Sequence, residues 1–127
     1  MDQNRWERRD WWGVVLDTDD VETLTHFYAQ LRGWRIHRLA ETDASLDEGE
    51  GVAYLNVQYD PRYVRPVWPG RPGQPTMMMH LDFEVSDLQA EVDRAVSLGA
   101  QVPAYQPQEN VRVLLDPAGH PFCLYVG

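Results

Sequence analysis

Apolar and polar residues alternate along two separate stretches of the chain, and each alternation gives way to a helical stripe. From residue 77 to residue 100 the chain reads MMMHLDFEVSDLQAEVDRAVSLGA. Met79, Leu81, Phe83 and Val85 alternate with His80, Asp82 and Glu84, the period of a β-strand with one apolar face. Ser86 and Gln89 stand at capping-box spacing, where each side chain can satisfy the other residue's free backbone N–H. Leu88, Val92, Ala95 and Val96 then recur at helical spacing, and Gly99 supplies the stop.

The chain contains this pattern twice. The earlier copy, GVVLDTDDVETLTHFYAQLRGW from Gly13, has the same alternation and a capping box at Asp19 and Glu22. Its helical stripe is Leu24, Phe27, Tyr28 and Leu31, ended by Gly33. Laid on the later copy, Gly13 falls on His80, Val14 on Leu81, Val15 on Asp82, Leu16 on Phe83, Asp17 on Glu84 and Asp20 on Asp87. A repeat of half the chain points to a pseudo-symmetric domain made by duplication of one module.

The remaining elements follow from the same patterns. Strands are expected at 11–17, 34–39, 51–59, 101–105, 111–115 and 121–126, with the first helix over 20–32. The acidic, glycine-containing stretch ETDASLDEGEG at 41–51 predicts a hairpin loop with at most a short strand over 44–46. Pro61, Pro66, Pro69, Pro72 and Pro75 leave no room for a regular element and mark a linker. Asp116-Pro117-Ala118-Gly119 fits a type I turn. The chain therefore reads as one domain over 1–127. Module one covers about 11–60, the Pro-rich linker 61–75 and module two 76–127. Each module runs strand, helix and then up to three strands, an α+β arrangement in which one sheet face is covered by the helix. The other face carries Asp17, Gln58, His80, Asp82, Glu84, Cys123 and Tyr125, and is expected to line something wet.

Composition narrows the function. With 127 residues and 43% hydrophobic positions, the chain can bury a substantial core. A formal net charge of −9 repels phosphate backbones, so nucleic acid is not an expected partner. Arg5, Arg8 and Arg9 are interleaved with Glu7 and Asp10, which predicts a solvated leader. Cys123 is the single cysteine, no apolar run reaches the length of a membrane span, and no signal-peptide core is present. A cytoplasmic protein with no membrane association is expected.

In combination the motifs resemble the vicinal oxygen chelate superfamily, which includes glyoxalase I, bleomycin-resistance proteins and extradiol dioxygenases. The matching pieces are Asp20 followed by HFYAQLRGW (26–34), PVWPGRPGQP (66–75), HLDFEVSDL (80–88), LGA (98–100) and DPAGHPFCLY (116–125). They are most similar to a glyoxalase-like branch. The resemblance implies two tandem βαβββ modules forming a glyoxalase/bleomycin-resistance/dioxygenase fold, with a concave mixed sheet around a funnel-shaped pocket, often completed in a homodimer. It also implies one divalent metal held by His and Glu side chains from the first and last strands of each module.

Carried onto this chain, those positions read Gly13, Asn56 or Gln58, His80 and Cys123, of which only His80 is of family type. A family-type metal is therefore not expected. The residues assigned to a ligand pocket are Asn56, Gln58, Trp68, Met78, Asp82, Glu84, Cys123 and Tyr125, with His80 as the candidate catalytic group, either a hydrogen-bonded relic of the ligand position or a proton-transfer group. The functional expectation is a small-molecule binder, a resistance-type protein or a non-metal enzyme. The alternatives are a metal-dependent lyase, isomerase or dioxygenase with a divalent ion around His80, Asp82, Glu84 and Cys123, and a dimerisation or interaction module. Cys123 reads as a buried filler and not a nucleophile. His37 reads as a strand-edge residue, and Trp6, Trp11 and Trp12 as cover for a dimer seam.

Overall fold

The computed structural model describes residues 4–127, which divide into two compact units, one up to Tyr63 and one from Val64 to Gly127. Unit one begins with a single 3-10 turn, Arg5–Glu7, followed by β1 (Trp12–Thr18), α1 (Val21–Arg32), β2 (Arg35–Leu39), β3 (Asp43–Asp47) and β4 (Ala53–Tyr59). Unit two contains β5 (Leu81–Glu84), α2 (Leu88–Ser97), β6 (Val111–Leu115) and β7 (Pro121–Tyr125). Each unit is a βαβββ-like module with a mixed sheet. In the first the order is β1-β4-β3-β2, and in the second β5-β7-β6. In both, the strand before the helix pairs in parallel with the last strand of the module.

Both helices stop where their glycines predict, and both start one residue later than their capping boxes predict. The N-caps are Asp20, whose carboxylate accepts from the Thr23 N–H, and Asp87, which accepts from the Ala90 N–H. Asp19 and Ser86 stay outside. The residue that caps must hold a non-helical backbone while its side chain reaches forward to the third residue, and Asp20 (φ -143°, ψ 88°) and Asp87 (φ -126°, ψ 102°) do so. These two caps are equivalent positions of the sequence repeat. Gly33 (φ 69°) and Gly99 (φ 121°) take the positive-φ conformations that follow the last turns.

Leu24, Phe27, Tyr28 and Leu31 are all buried, facing β2, β3 and β4. Each such side chain contributes roughly 1.5–3 kcal/mol by leaving water. They meet Ala44, Leu46, Leu55 and Val57 from the sheet. The shorter α2 buries only Val92 and Ala95, leaving Val96 exposed. Its sheet presents Phe83, Leu114, Phe122 and Leu124.

Three segments differ from the sequence expectation. In the acidic stretch 41–51 the short strand expected over 44–46 is present, but it extends over Asp43–Asp47 as β3, an inner strand, not part of a loop, that pairs with both β2 and β4. Alternating Ala44 and Leu46 are fully buried, and that burial outweighs the low strand preference of the flanking acids. The expected strand at 101–105 reduces to a single bridge between Gln101 and Leu115; Pro103, two residues on, has no N–H to extend a ladder. The leader is not simply solvated, since Arg5 reaches back to an ion pair with Asp47.

The Pro-rich segment has no strand or helix, as its composition dictates, but it is tied down within unit two. The Val67 N–H donates to the Pro75 carbonyl at 2.8 Å, and Arg65 Nη1 donates to the Pro117 carbonyl at 2.8 Å. The turn it straps is closed by Gly119 N–H to the Asp116 carbonyl, with buried Asp116 Oδ1 accepting from Ala118 and His120 N–H groups. No helix among the described residues is long and apolar enough to cross a membrane.

Candidate functional site

In unit one the sheet face opposite α1 carries Gly13, Val15 and Asp17 from β1, Tyr54, Asn56 and Gln58 from β4, and Asp43, Ser45 and Asp47 from β3. The register sets Gly13 beside Tyr54 and Asn56 between Val15 and Ser45. The 3-10 turn folds onto this face. Asn4 caps it by accepting from the Trp6 N–H, and the Trp11 indole N–H donates to the Arg5 carbonyl. The rings of Trp6 and Trp11 stack at 5.3 Å, Trp6 stands edge-on to His37, and the Arg5 guanidinium lies over both indoles.

Beneath them Asp47, 3% exposed, receives Arg5 Nη2 and, at 2.9 Å, His37 Nε2. Burial alone pushes the Asp47 carboxyl upward. Hydrogen bonds from Arg5, His37 and the Gly49 N–H outweigh that and hold it below the usual carboxylate range. Between the leader and the sheet is a hollow of about 350 Å³, with Trp6, Trp11 and Tyr54 as walls and Ser45 and Asn56 from the strands. Asn56 Oδ1 is buried and meets no donor.

Gly13, expected from the resemblance to stand at a ligand position, contributes no side chain, and its space is taken. A Cβ there would lie 2.2 Å from Tyr54 Cδ2 and 2.6 Å from Cγ. Asn56 reaches the hollow, whereas Gln58, two residues on, is exposed.

In unit two, parallel pairing of β5 with β7 sets Asp82 opposite Cys123. His80 precedes β5 by one residue and turns its Nε2 to Asp82 Oδ1 at 3.1 Å. Donor atoms of His80, Asp82 and Cys123 all lie within 4.8 Å of one another. Three of the four residues expected around an alternative metal site, His80, Asp82 and Cys123, are thus brought together by strand register. Glu84 is outside the cluster, opposite Tyr125, and its Oε2 lies against Gly127.

Burial, aided by the charge and the hydrogen bond of Asp82, pushes the Cys123 thiol up to about 11. At neutral pH it is therefore a protonated donor to Asp82 and not a nucleophile. An imidazole, a carboxylate and a thiol form a donor set suited to a borderline divalent cation, whose binding would displace the thiol proton. Of the other expected pocket residues, Met78 is 93% exposed, and Trp68 packs on Tyr105 at 5.7 Å within unit two.

A family model described as a glyoxalase-like domain matches residues 13–125. The chain belongs to this glyoxalase-like family. Solved structures with the same fold include the fosfomycin resistance protein FosX from Mesorhizobium loti (15% identity, TM-score 0.67, covering 94% of this chain and 93% of that one). A glyoxalase/bleomycin resistance protein/dioxygenase family enzyme from Burkholderia phytofirmans PsJN is similar at 18% identity and TM-score 0.67, covering 88% and 94%. FosX from Listeria monocytogenes, solved with manganese(II) and a dihydroxypropylphosphonic acid, matches at 13% identity and TM-score 0.68, covering 91% and 87%. No curated protein matches the sequence. At these identities the structural likenesses establish the fold, and function has to be argued from the residues.

Tyr54, Ser45, His37 and Asp47 were not expected beside the hollow, and Trp6 and Trp11, expected to cover a dimer seam, line it as well. One signal was available. Tyr54 shares the strand face of Asn56 and Gln58, so an aromatic wall beside them follows from the alternation alone.

Proposed function

We propose that this glyoxalase-like protein binds a small organic molecule and that the family's metal site is largely lost, making it a sequestering or resistance-type binder or an enzyme that works without a metal. The observation that carries the reading is at Gly13. That ligand position has no donor, and the Tyr54 ring fills its space, while an aromatic-walled hollow opens beside it. Hollows of this size with a few polar groups among aromatic walls are the usual form of a small-molecule site. If a reaction occurs, His80 is the group to move a proton, with Asp82 holding its imidazole by the Nε2 contact. We further propose a cytoplasmic homodimer, supported by Trp12 and Val15, which are exposed on the edge strand β1.

The test pairs a thermal-shift screen of neutral and cationic small molecules with elemental analysis of untagged protein. Ligand stabilisation without metal supports the reading. Near-stoichiometric metal that vanishes in His80→Ala defeats it.

A second reading is favoured by the His80–Asp82–Cys123 cluster, namely a metal-dependent lyase, isomerase or oxygenase with a noncanonical site. Those three side chains would hold a divalent ion, which would supply Lewis-acid chemistry when bound. Zinc-dependent stabilisation lost in both His80→Ala and Cys123→Ser is its expected signature. Equal melting temperatures with zinc and with a chelator would eliminate it.

A further inference from the structure

The hollow of unit one is more selective than a generic apolar pocket, and its chemistry names a ligand class. This inference rests on the small-molecule reading above and specifies it. Trp6 is 59% exposed, yet it is held in place by its stack on Trp11 and its edge contact with His37. Flat indole surfaces held in this way suit flat rings. The Asp47 carboxylate is already taken by the Arg5 guanidinium and the His37 Nε2, so it offers a ligand no free ionic partner.

One polar demand is unmet. Asn56 Oδ1 is buried without a donor, and no protein hydrogen bond anchors that acceptor. A carboxamide that turns about χ2 toward the hollow can offer its N–H and C=O together. The partner that satisfies both at once is another adjacent donor–acceptor edge. Ser45, beside Asn56 in the β3–β4 register, adds a hydroxyl able to serve either role.

We propose that this hollow takes an uncharged aromatic lactam or amide, its ring against Trp6 and Trp11 and its N–H/C=O edge paired with the Asn56 carboxamide. The Arg5–Glu7 turn is the wall that admits it. That turn belongs to the leader, and the Arg5–Asp47 pair and the indole contacts hold it to the sheet.

The test uses 2-quinolone as the probe, with N-methyl-2-quinolone lacking the donor and decahydroquinolin-2-one lacking the flat ring. Protein labelled with 5-fluorotryptophan reports each indole separately by fluorine NMR, assigned by single Trp→Phe variants. In wild type, 2-quinolone is expected to shift the Trp6 and Trp11 signals. N-methylation should weaken binding about tenfold, the worth of one hydrogen bond. The saturated analogue should lose at least as much. Asn56→Ala should erase the preference for 2-quinolone over its N-methyl form, and Trp6→Ala should weaken both in a protein whose circular dichroism remains native.

Equal binding of all three probes overturns the proposal, as does an unchanged preference in Asn56→Ala. If 2-quinolone leaves Trp6 and Trp11 unmoved while other screened compounds still stabilise the protein, the ligand class is wrong and the small-molecule reading stands. If no compound stabilises the protein, both fall.

Discussion

Replacing Gly13 by alanine should destabilise the protein, against the usual direction for glycine in a strand. Gly13 lies within β1 with no positive φ. On backbone grounds alone, alanine would be favoured by roughly 0.5–1 kcal/mol. The added Cβ, however, would sit 2.2, 2.3 and 2.6 Å from Cδ2, Cε2 and Cγ of Tyr54. Because Cγ is among the clashing atoms, a ring flip gives no relief and the whole side chain must change rotamer. Overpacking of this kind costs roughly 1–3 kcal/mol, so a net loss of about 1–2 kcal/mol is expected.

Urea unfolding followed by tryptophan fluorescence measures the change, with Gly70→Ala as control. There the new Cβ meets Thr76 at an ordinary 3.5 Å, and the substitution should be neutral or stabilise by roughly 0.4–1 kcal/mol. In a double-mutant cycle, Tyr54→Ala should remove the penalty of Gly13→Ala, giving a coupling of about 1 kcal/mol or more. Additive single mutants, or a Gly13→Ala protein as stable as wild type, would refute the claim that Tyr54 occupies this position.

Other outcomes follow from the same geometry. Asp20→Ala should cost about 1 kcal/mol in urea unfolding, since its carboxylate accepts from the Thr23 N–H and hydroxyl; Asp19→Ala should cost little, and the reverse ranking would restore the sequence-based cap. Asp47 is held below its ordinary value in the folded protein, so its contribution is present above the unfolded carboxylate pKa and lost as pH falls through the folded one. Acid unfolding monitored by circular dichroism should therefore begin at higher pH in Arg5→Gln, and an unchanged acid limb would separate Arg5 from Asp47 energetically. The Cys123 thiol, raised to about 11, should react slowly with iodoacetamide at neutral pH and accelerate as pH rises toward that value, while stability drains over the same range because the unfolded thiol ionises first. Rapid alkylation of native protein at pH 7 would show an activated thiolate instead.

Much of the architecture was legible because it is local. Period-two alternation marked β1, β4, β5 and β7, spacing of three and four marked both helix stripes, and Gly33, Gly99 and the Asp116–Gly119 turn ended or reversed segments through their own backbone preferences. The repeat placed Asp20 on Asp87, the two residues that cap the helices. The capping boxes erred by a residue because adjacent side chains could all accept a hydrogen bond, and only the backbone dihedrals choose among them. The full extent of β3 beyond 44–46 was obscured by Asp43 and Asp47, whose partners Arg38 and Arg5 lie elsewhere in the chain.

For the candidate sites, the sequence by itself determined residue types and strand faces. By resemblance it assigned His80, Cys123 and Gly13 to ligand positions, and by alternation it put Asn56 on the open face. Tertiary structure decided which of these meet. Parallel register between β5 and β7 moved Asp82 beside Cys123, and return of the leader onto β3 and β4 set Trp6 and Arg5 against His37, Asp47 and Tyr54. The physical reason is that periodicity fixes which way a side chain points from its own strand, whereas strand register and the path of a loop are set by burial and pairing between residues far apart in sequence.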